Sequence, residues 1–227
     1  MKKTIILASS NKGKIREIKE IFKDYEVLSL KEAEERLKKE LIVVENQPTF
    51  KENALEKTRC LYNLVGDEYI CIGDDSGISI DALDGFPGVH TARWMDADDH
   101  TKNIHLLKKM DGQANRTCHY TTVIAIVGNN LEKTFEYTLD GNLTTEVRGC
   151  NGFGFDEIFE LNSGKTLAEI TTEEKFSVSP RNKALEKLKE YIQDRECKKL
   201  CVKLPTYGNK DMWVWLYQSL FVTLIIT

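Results

Sequence analysis

The sequence predicts an α/β fold on a mixed sheet, in two lobes with a cleft between them. Three observations predict it. Short apolar runs alternate with helical spacing over the first third of the chain. β-Branched and aromatic runs then cluster in its middle. No internal repeat or low-complexity linker divides it. With 227 residues, 41% of them apolar, the chain can bury a sizeable core. A net charge of −4 with no dominant basic face excludes a general nucleic-acid binder, although a single nucleotide needs only local cations.

Lys3 to Ala8 reads as a buried first strand. Its apolar part is too short for a secretory h-region before Asn11, Lys12 and Lys14 intervene, which places the chain in the cytoplasm. Ile15, Ile18, Ile21 and Phe22 then fall at helical spacing from Asn11 to Phe22, with Ser9 or Ser10 as cap. Val27 to Leu30 is a second strand, and Glu32 to Leu41 a charged helix with a solvated face. Pro48 and Thr49 open a stronger helix to about Leu64. Tyr69 to Gly73 is a strand that delivers Asp74 and Asp75 to a turn at Ser76-Gly77.

Thr101 to Met110 is helical, and Thr117 to Val127 is a strand. Phe135–Leu139 and Leu143–Val147 are strands joined by a hairpin at Asp140-Gly141-Asn142. The Gly- and Phe-rich stretch from Cys150 to Phe159 is a shaped loop. Pro180 to about Arg195 is a final helix with Ala184, Leu185, Leu188 and Ile192 inward. The six cysteines are scattered without a Cys-x-x-Cys, so reduced core thiols are expected. The sixteen residues from Met212 to Thr227 are strongly apolar but short of the roughly twenty a membrane span needs. A membrane anchor, a partner-binding segment and a foreign appendage all fit such a tail; a non-catalytic appendage fits best.

The chemistry concentrates at Asp74-Asp75. Adjacent carboxylates repel and need a partner if buried, and the usual partner is a divalent cation, most often magnesium, which takes oxygen ligands. A solvated acidic turn is the plain alternative. In Ser9-Ser10-Asn11-Lys12-Gly13-Lys14, backbone N–H groups at a helix start, the hydroxyls and Lys14 suit phosphate, although a capped helix with a solvated lysine is commoner. Asn162-Ser163-Gly164-Lys165-Thr166 imitates the end of a P-loop, but Phe159 stands where its first glycine belongs, so a P-loop is rejected. Glu45, Lys57, Lys175 and Arg181 complete the composition of a magnesium-triphosphate site: metal ligands, cations and a positioned water are most of what phosphoryl transfer needs. Phe153 suits base stacking or plain core packing, and Asp156 a hydrogen bond to a base.

Taken in order, these stretches resemble the inosine triphosphate pyrophosphatase (RdgB-like) family. The resemblance rests on residues 8–14, on Thr49-Phe50-Lys51-Glu52-Asn53-Ala54, on Asp74-Asp75-Ser76-Gly77, on residues 87–93, on Gly152-Phe153-Gly154-Phe155-Asp156 and on Ser179-Pro180-Arg181. It implies a nucleotide-binding cleft between the lobes and a homodimer. It also implies magnesium-dependent hydrolysis of nonstandard purine nucleoside triphosphates (ITP, dITP, XTP) to the monophosphate and pyrophosphate. Residues 1–196 would form that domain and 197–227 an atypical tail. By the same resemblance Ser9, Ser10, Asn11, Lys14 and Lys57 would hold phosphates. Glu45, Asp74 and Asp75 would serve the metal, Asp75 also acting on the attacking water. Ser76, Phe153, Gly154, Asp156, Lys175 and Arg181 would surround the base.

Three departures stand out. Pro180 replaces a base-reading histidine and offers no donor, Glu157 replaces a proline, and Phe155 replaces a tyrosine. A broader base preference, or a nucleotide-binding sensor without turnover, are the alternative readings.

Overall fold

A computed structural model describes residues 3–203, with side chains for 3–196, so the apolar tail and the side chains of Cys197 and Cys201 lie outside it. Met1–Glu190 forms one compact unit. The strands are β1 (Thr4–Leu7), β2 (Glu26–Leu28), β3 (Ile70–Ile80), β4 (Thr117–Gly128), β5 (Leu131–Leu143) and β6 (Phe159–Glu160). The helices are α1 (Lys12–Ile21), α2 (Leu30–Leu37), α3 (Phe50–Val65), α4 (Asp99–Lys109), α5 (Thr172–Val178) and α6 (Pro180–Lys203). The strands form one mixed sheet in the order β2-β1-β3-β4-β5-β6, parallel at the β2-β1-β3 end and antiparallel from β3 onward.

The mixed sheet is as the sequence predicts, and the apolar core is divided. Ile6, Leu28, Ala33, Leu41, Leu61 and Cys71 pack at the parallel end. Ile78, Leu106, Met110, Tyr120, Phe155, Ile158 and Phe159 pack at the antiparallel end. A small group under α3, Ala54, Leu55, Val123 and Ala125, forms a third. Each fully buried Leu, Ile or Phe is worth about 1.5–3 kcal/mol. The stretch of β3 between the two larger clusters carries Asp74 to Gly77.

Several elements differ from the sequence expectation, each for a local reason. α1 is capped by Asn11, not by Ser9 or Ser10: the Asn11 carboxamide oxygen accepts from the Gly13 and Lys14 amides, while Ser9 Oγ accepts from Asn11 N. β2 stops at Leu28 because Ser29 closes a capping box with Glu32, starting α2 two residues earlier than expected. α4 likewise starts at Asp99, with Asp98 accepting from Thr101 N. The short helix α5, entered through a Thr171/Glu174 capping box, and the two-residue strand β6 were not expected.

The turn expected at Ser76-Gly77 is absent. β3 runs unbroken past the acidic pair, in register with β4 from Cys71 opposite Val127 to Ile80 opposite Cys118. Gly77 is there for space, because an added Cβ would lie 2.3 Å from Thr91 Oγ1 and 2.7 Å from Gly88 O. The hairpin expected at Asp140-Gly141-Asn142 is absent too. β4 and β5 join at Asn129-Asn130, Asn130 taking the left-handed conformation, and Gly141 sits inside β5 beneath Glu160 O and the Phe159 ring. Residues 144–147 form no strand. Cys71 and Cys118 are the buried thiols expected, each pushed up to about 12 by burial, whereas Cys60 is half-buried and Cys150 exposed.

Candidate active site

Strand alternation sends Asp74 and Asp75 to opposite faces of β3. Asp74 is wholly buried with both oxygens engaged: Lys14 Nζ lies 2.6 Å from Oδ1, and Arg181 Nε donates to Oδ2 across 2.7 Å. Burial by itself would raise the Asp74 carboxyl; Arg181 and Lys14 outweigh burial and hold it well below the usual carboxylate range. Arg181 also donates from Nη1 to Glu17 Oε2 (2.7 Å) and from Nη2 to Ser76 Oγ (2.8 Å). One arginine on α6 therefore ties β3 to α1, and Glu17 enters the site although sequence reasoning did not single it out.

Asp75 turns toward α3. Its Oδ1 lies 3.6 Å from Lys57 Nζ, and its Oδ2 is buried without a hydrogen-bond partner. Burial pushes the Asp75 carboxyl up, with Lys57 and Lys14 opposing. Lys57 is itself buried. It donates to the backbone oxygen of Asp74 at 2.9 Å and pairs with Glu45 Oε1. Asp75 and Glu45 thus share one ammonium group, and Arg93 reaches the other Glu45 oxygen at 3.5 Å.

A cavity of about 320 Å³ opens over this arrangement. Ser9, Asn11, Lys14, Glu45, Asp75, Ser76, Tyr120, Phe153, Gly154, Phe155 and Arg181 are among the residues on its wall. Lys57 and Asp74 lie directly behind the wall. Ser10 is exposed and does not reach the cavity, and Asp156 and Lys175 pair with each other behind Phe153. Most of the residues named from the sequence therefore converge, from chain positions more than 160 apart.

The loop around Phe153 is shaped by backbone contacts. Asp156 accepts from Phe153 N at 2.8 Å and from Lys175 Nζ at 2.5 Å. Burial raises its carboxyl against the pull of Lys175. The Phe153 ring lies against Gly13 of α1, with Lys175 Nζ 4.9 Å and Arg181 Cζ 5.4 Å from its centroid. The N-terminal part of α4 clamps the same loop: Asp99 accepts from Gly154 N, and Asn103 donates to Gly154 O. Asp99 was missed because the helix was expected to begin at Thr101; Asn103 fell inside that helix with no local mark of its contact to Gly154. The capping pattern at Asp98 was the signal.

Among the described residues no group of three or more His, Cys, Asp or Glu side chains is placed to hold a metal ion. Asp74 is fully committed to cations of the chain. The partnerless Oδ2 of Asp75, beside Glu45, is the donor that suits a hard cation.

The Ham1 family model matches residues 5–191. The dITP/XTP pyrophosphatase of Sulfurimonas denitrificans is 40% identical over 200 residues, covering 83% of this chain and 98% of that protein. That of Caldanaerobacter subterraneus subsp. tengcongensis is 41% identical over 198 residues, covering 84% and 96%. The structure of the Staphylococcus aureus Ham1 protein superposes with a TM-score of 0.74 at 32% identity, covering 85% of this chain and all of that one. The family match includes every cavity residue named above, and the chain belongs to the Ham1 family.

Proposed function

We propose that this protein is a nucleoside triphosphate pyrophosphatase that hydrolyses the nonstandard purine nucleotides ITP, dITP and XTP to the monophosphate and pyrophosphate. The observation that carries the reading is Asp75: a buried carboxylate, its Oδ2 without a partner, in a residue that lines a cavity also holding Lys14, Asn11 and Ser9. The names of the relatives agree with it, since those proteins are dITP/XTP pyrophosphatases at about 40% identity.

In this reading the triphosphate lies at the α1 end of the cavity, where Lys14, Ser9, Asn11 and the first amides of α1 face it. Ser10, which is exposed, would join only when substrate is bound. Asp75 orients the attacking water and takes its proton, a task for which a carboxyl raised by burial is suited. Lys57 keeps Asp75 and Glu45 together and offsets their repulsion. Asp74 holds Lys14 and Arg181 in place, and would add to metal binding only by yielding one of them. Asp75 and Glu45 are the residues that would hold magnesium, which when bound disperses charge on the transferring phosphates. Phe153, Gly154, Asp156, Lys175, Ser76 and Arg181 frame the end that takes the base.

A broader base preference is the second reading, and one observation favours it. Pro180 begins α6 where a donor would be useful, and Arg181 and Lys175 are already paired with carboxylates. We further propose a cytoplasmic homodimer; among the described residues no helix is long and apolar enough to cross a membrane.

Pyrophosphate release from ITP, XTP, dITP, GTP, ATP and dTTP, with magnesium and with chelator, tests the reading. Preference for ITP, dITP and XTP that chelator abolishes supports it. Equal rates on all six point to the second reading, and no release from any of them overturns both.

A further inference from the structure

We propose that Tyr120 is a specificity-determining residue of this cleft, its phenolic hydroxyl donating a hydrogen bond to a keto oxygen of the bound base. The inference rests on the pyrophosphatase reading and adds a residue that neither the motifs nor the resemblance singled out.

Tyr120 lies on β4 opposite Ile78, on the same sheet face as Ser76 and Asp74. Only 8% of the residue is exposed, and Tyr120 lines the cavity together with Phe153, Gly154 and Phe155. Its ring is held against Phe159 at 6.0 Å between centroids. Among the described residues the hydroxyl has no hydrogen-bond partner, yet it is not one of the sealed, unpaired polar atoms. A tyrosine this buried ordinarily finds a partner for its hydroxyl, so a hydroxyl left open on a cavity wall is placed for a ligand.

The surroundings keep it a donor. Burial raises the phenol, and the nearby carboxylates of Asp156, Glu17 and Asp74 raise it further against Arg181, so the proton stays on oxygen. The neighbouring donors each already hold a partner within the protein, whereas among the described residues the Tyr120 hydroxyl holds none. Arg181 serves Asp74, Glu17 and Ser76; Lys175 serves Asp156; the Phe153 and Gly154 amides serve Asp156 and Asp99; and Pro180 has none. A keto oxygen entering here meets a phenol that is free to donate.

The test is Tyr120→Phe in the full chain, which keeps the ring and deletes the hydroxyl. With ITP and XTP, KM should rise and kcat/KM fall about tenfold, the size of one neutral hydrogen bond. With purine riboside triphosphate, which carries no keto group, the two proteins should behave alike. The thermal midpoint should not move. Unchanged kinetics on ITP, or an equal loss on purine riboside triphosphate, would overturn the assignment. ITP binding to both proteins by calorimetry, without turnover, separates the two readings. A wild-type protein that binds ITP about tenfold more tightly than the variant but releases no pyrophosphate refutes the enzyme and keeps the Tyr120 contact. Equal binding by the two proteins refutes the contact.

Discussion

Arg181 Nε donates to Asp74 Oδ2 across 2.7 Å, joining α6 to β3 with both side chains out of water. Asp74→Asn removes the charge that pairs with both Arg181 and Lys14, leaving buried Arg181 with Glu17 alone and Lys14 without an ion pair. Breaking a buried pair from one side costs about 3–5 kcal/mol. For a chain of this size the melting temperature should fall on the order of 10 °C. Thermal unfolding followed by circular dichroism checks it. A shift below about 2 °C would mean that the pair does not anchor α6.

Asp75 makes the opposite prediction. Its Oδ2 has no partner to lose, and Lys57, 3.6 Å from Oδ1, keeps Glu45 when the charge goes, so Asp75→Asn should leave the melting temperature nearly unchanged or raise it. Pyrophosphate release should fall roughly 100- to 10,000-fold, the range for removing a positioned general base. Nucleotide binding by calorimetry should survive within about tenfold. Equal loss of binding and turnover would remove Asp75 from its catalytic role.

The contrast between these neighbours was only half legible in the sequence. The acidic pair, the strand before it and the capped helix α1 could be read from apolar period and capping residues, because those signals are local. That one carboxylate is satisfied by cations while the other is left with a free oxygen depends on α6 and α3, which arrive from 107 and 17 residues away. Gly77 and Gly141 were misread as turns for the same reason. Each makes room for a segment distant in sequence, Gly88 O in one case and Glu160 O in the other. The Thr171/Glu174 capping box of α5 was local and readable; the helix it starts, seven residues long, is too short to show a clear apolar period.

Gly13 supplies a test of the contact between α1 and the Phe153 loop. It lies in the first turn of α1, where alanine is the better helix former by about 1 kcal/mol. An added Cβ there would come within 2.7 Å of three atoms of the Phe153 ring, so the ring must move. Gly13→Ala should therefore hold or raise the melting temperature while raising KM for ITP several-fold. Phe153→Leu, which offers no ring to collide with, should make the added Gly13→Ala change much milder. A double-mutant cycle on kcat/KM measures this, and strict additivity would mean that Gly13 and Phe153 are independent.

His119 carries a pH prediction away from the cavity. Its Nδ1 lies 2.7 Å from Asp140 and its Nε2 3.1 Å from Asp81, so both ring nitrogens face carboxylates and the doubly protonated imidazolium suits them. The Asp140 contact raises its pKa above the ordinary histidine value; slight burial opposes, and Asp81 adds to the rise. A group whose folded pKa is raised contributes its stability below the unfolded pKa, near 6.5, and loses it as pH climbs through the folded value. The wild-type melting temperature, measured relative to His119→Gln, should thus be highest near pH 5.5 and decline as pH rises above about 6.5. The site is about a third exposed, so the difference stays small, about 1 kcal/mol or less, and shrinks in high salt. A difference that instead grew with rising pH would mean that the neutral ring, bonded through a single tautomer, is the stabilising form.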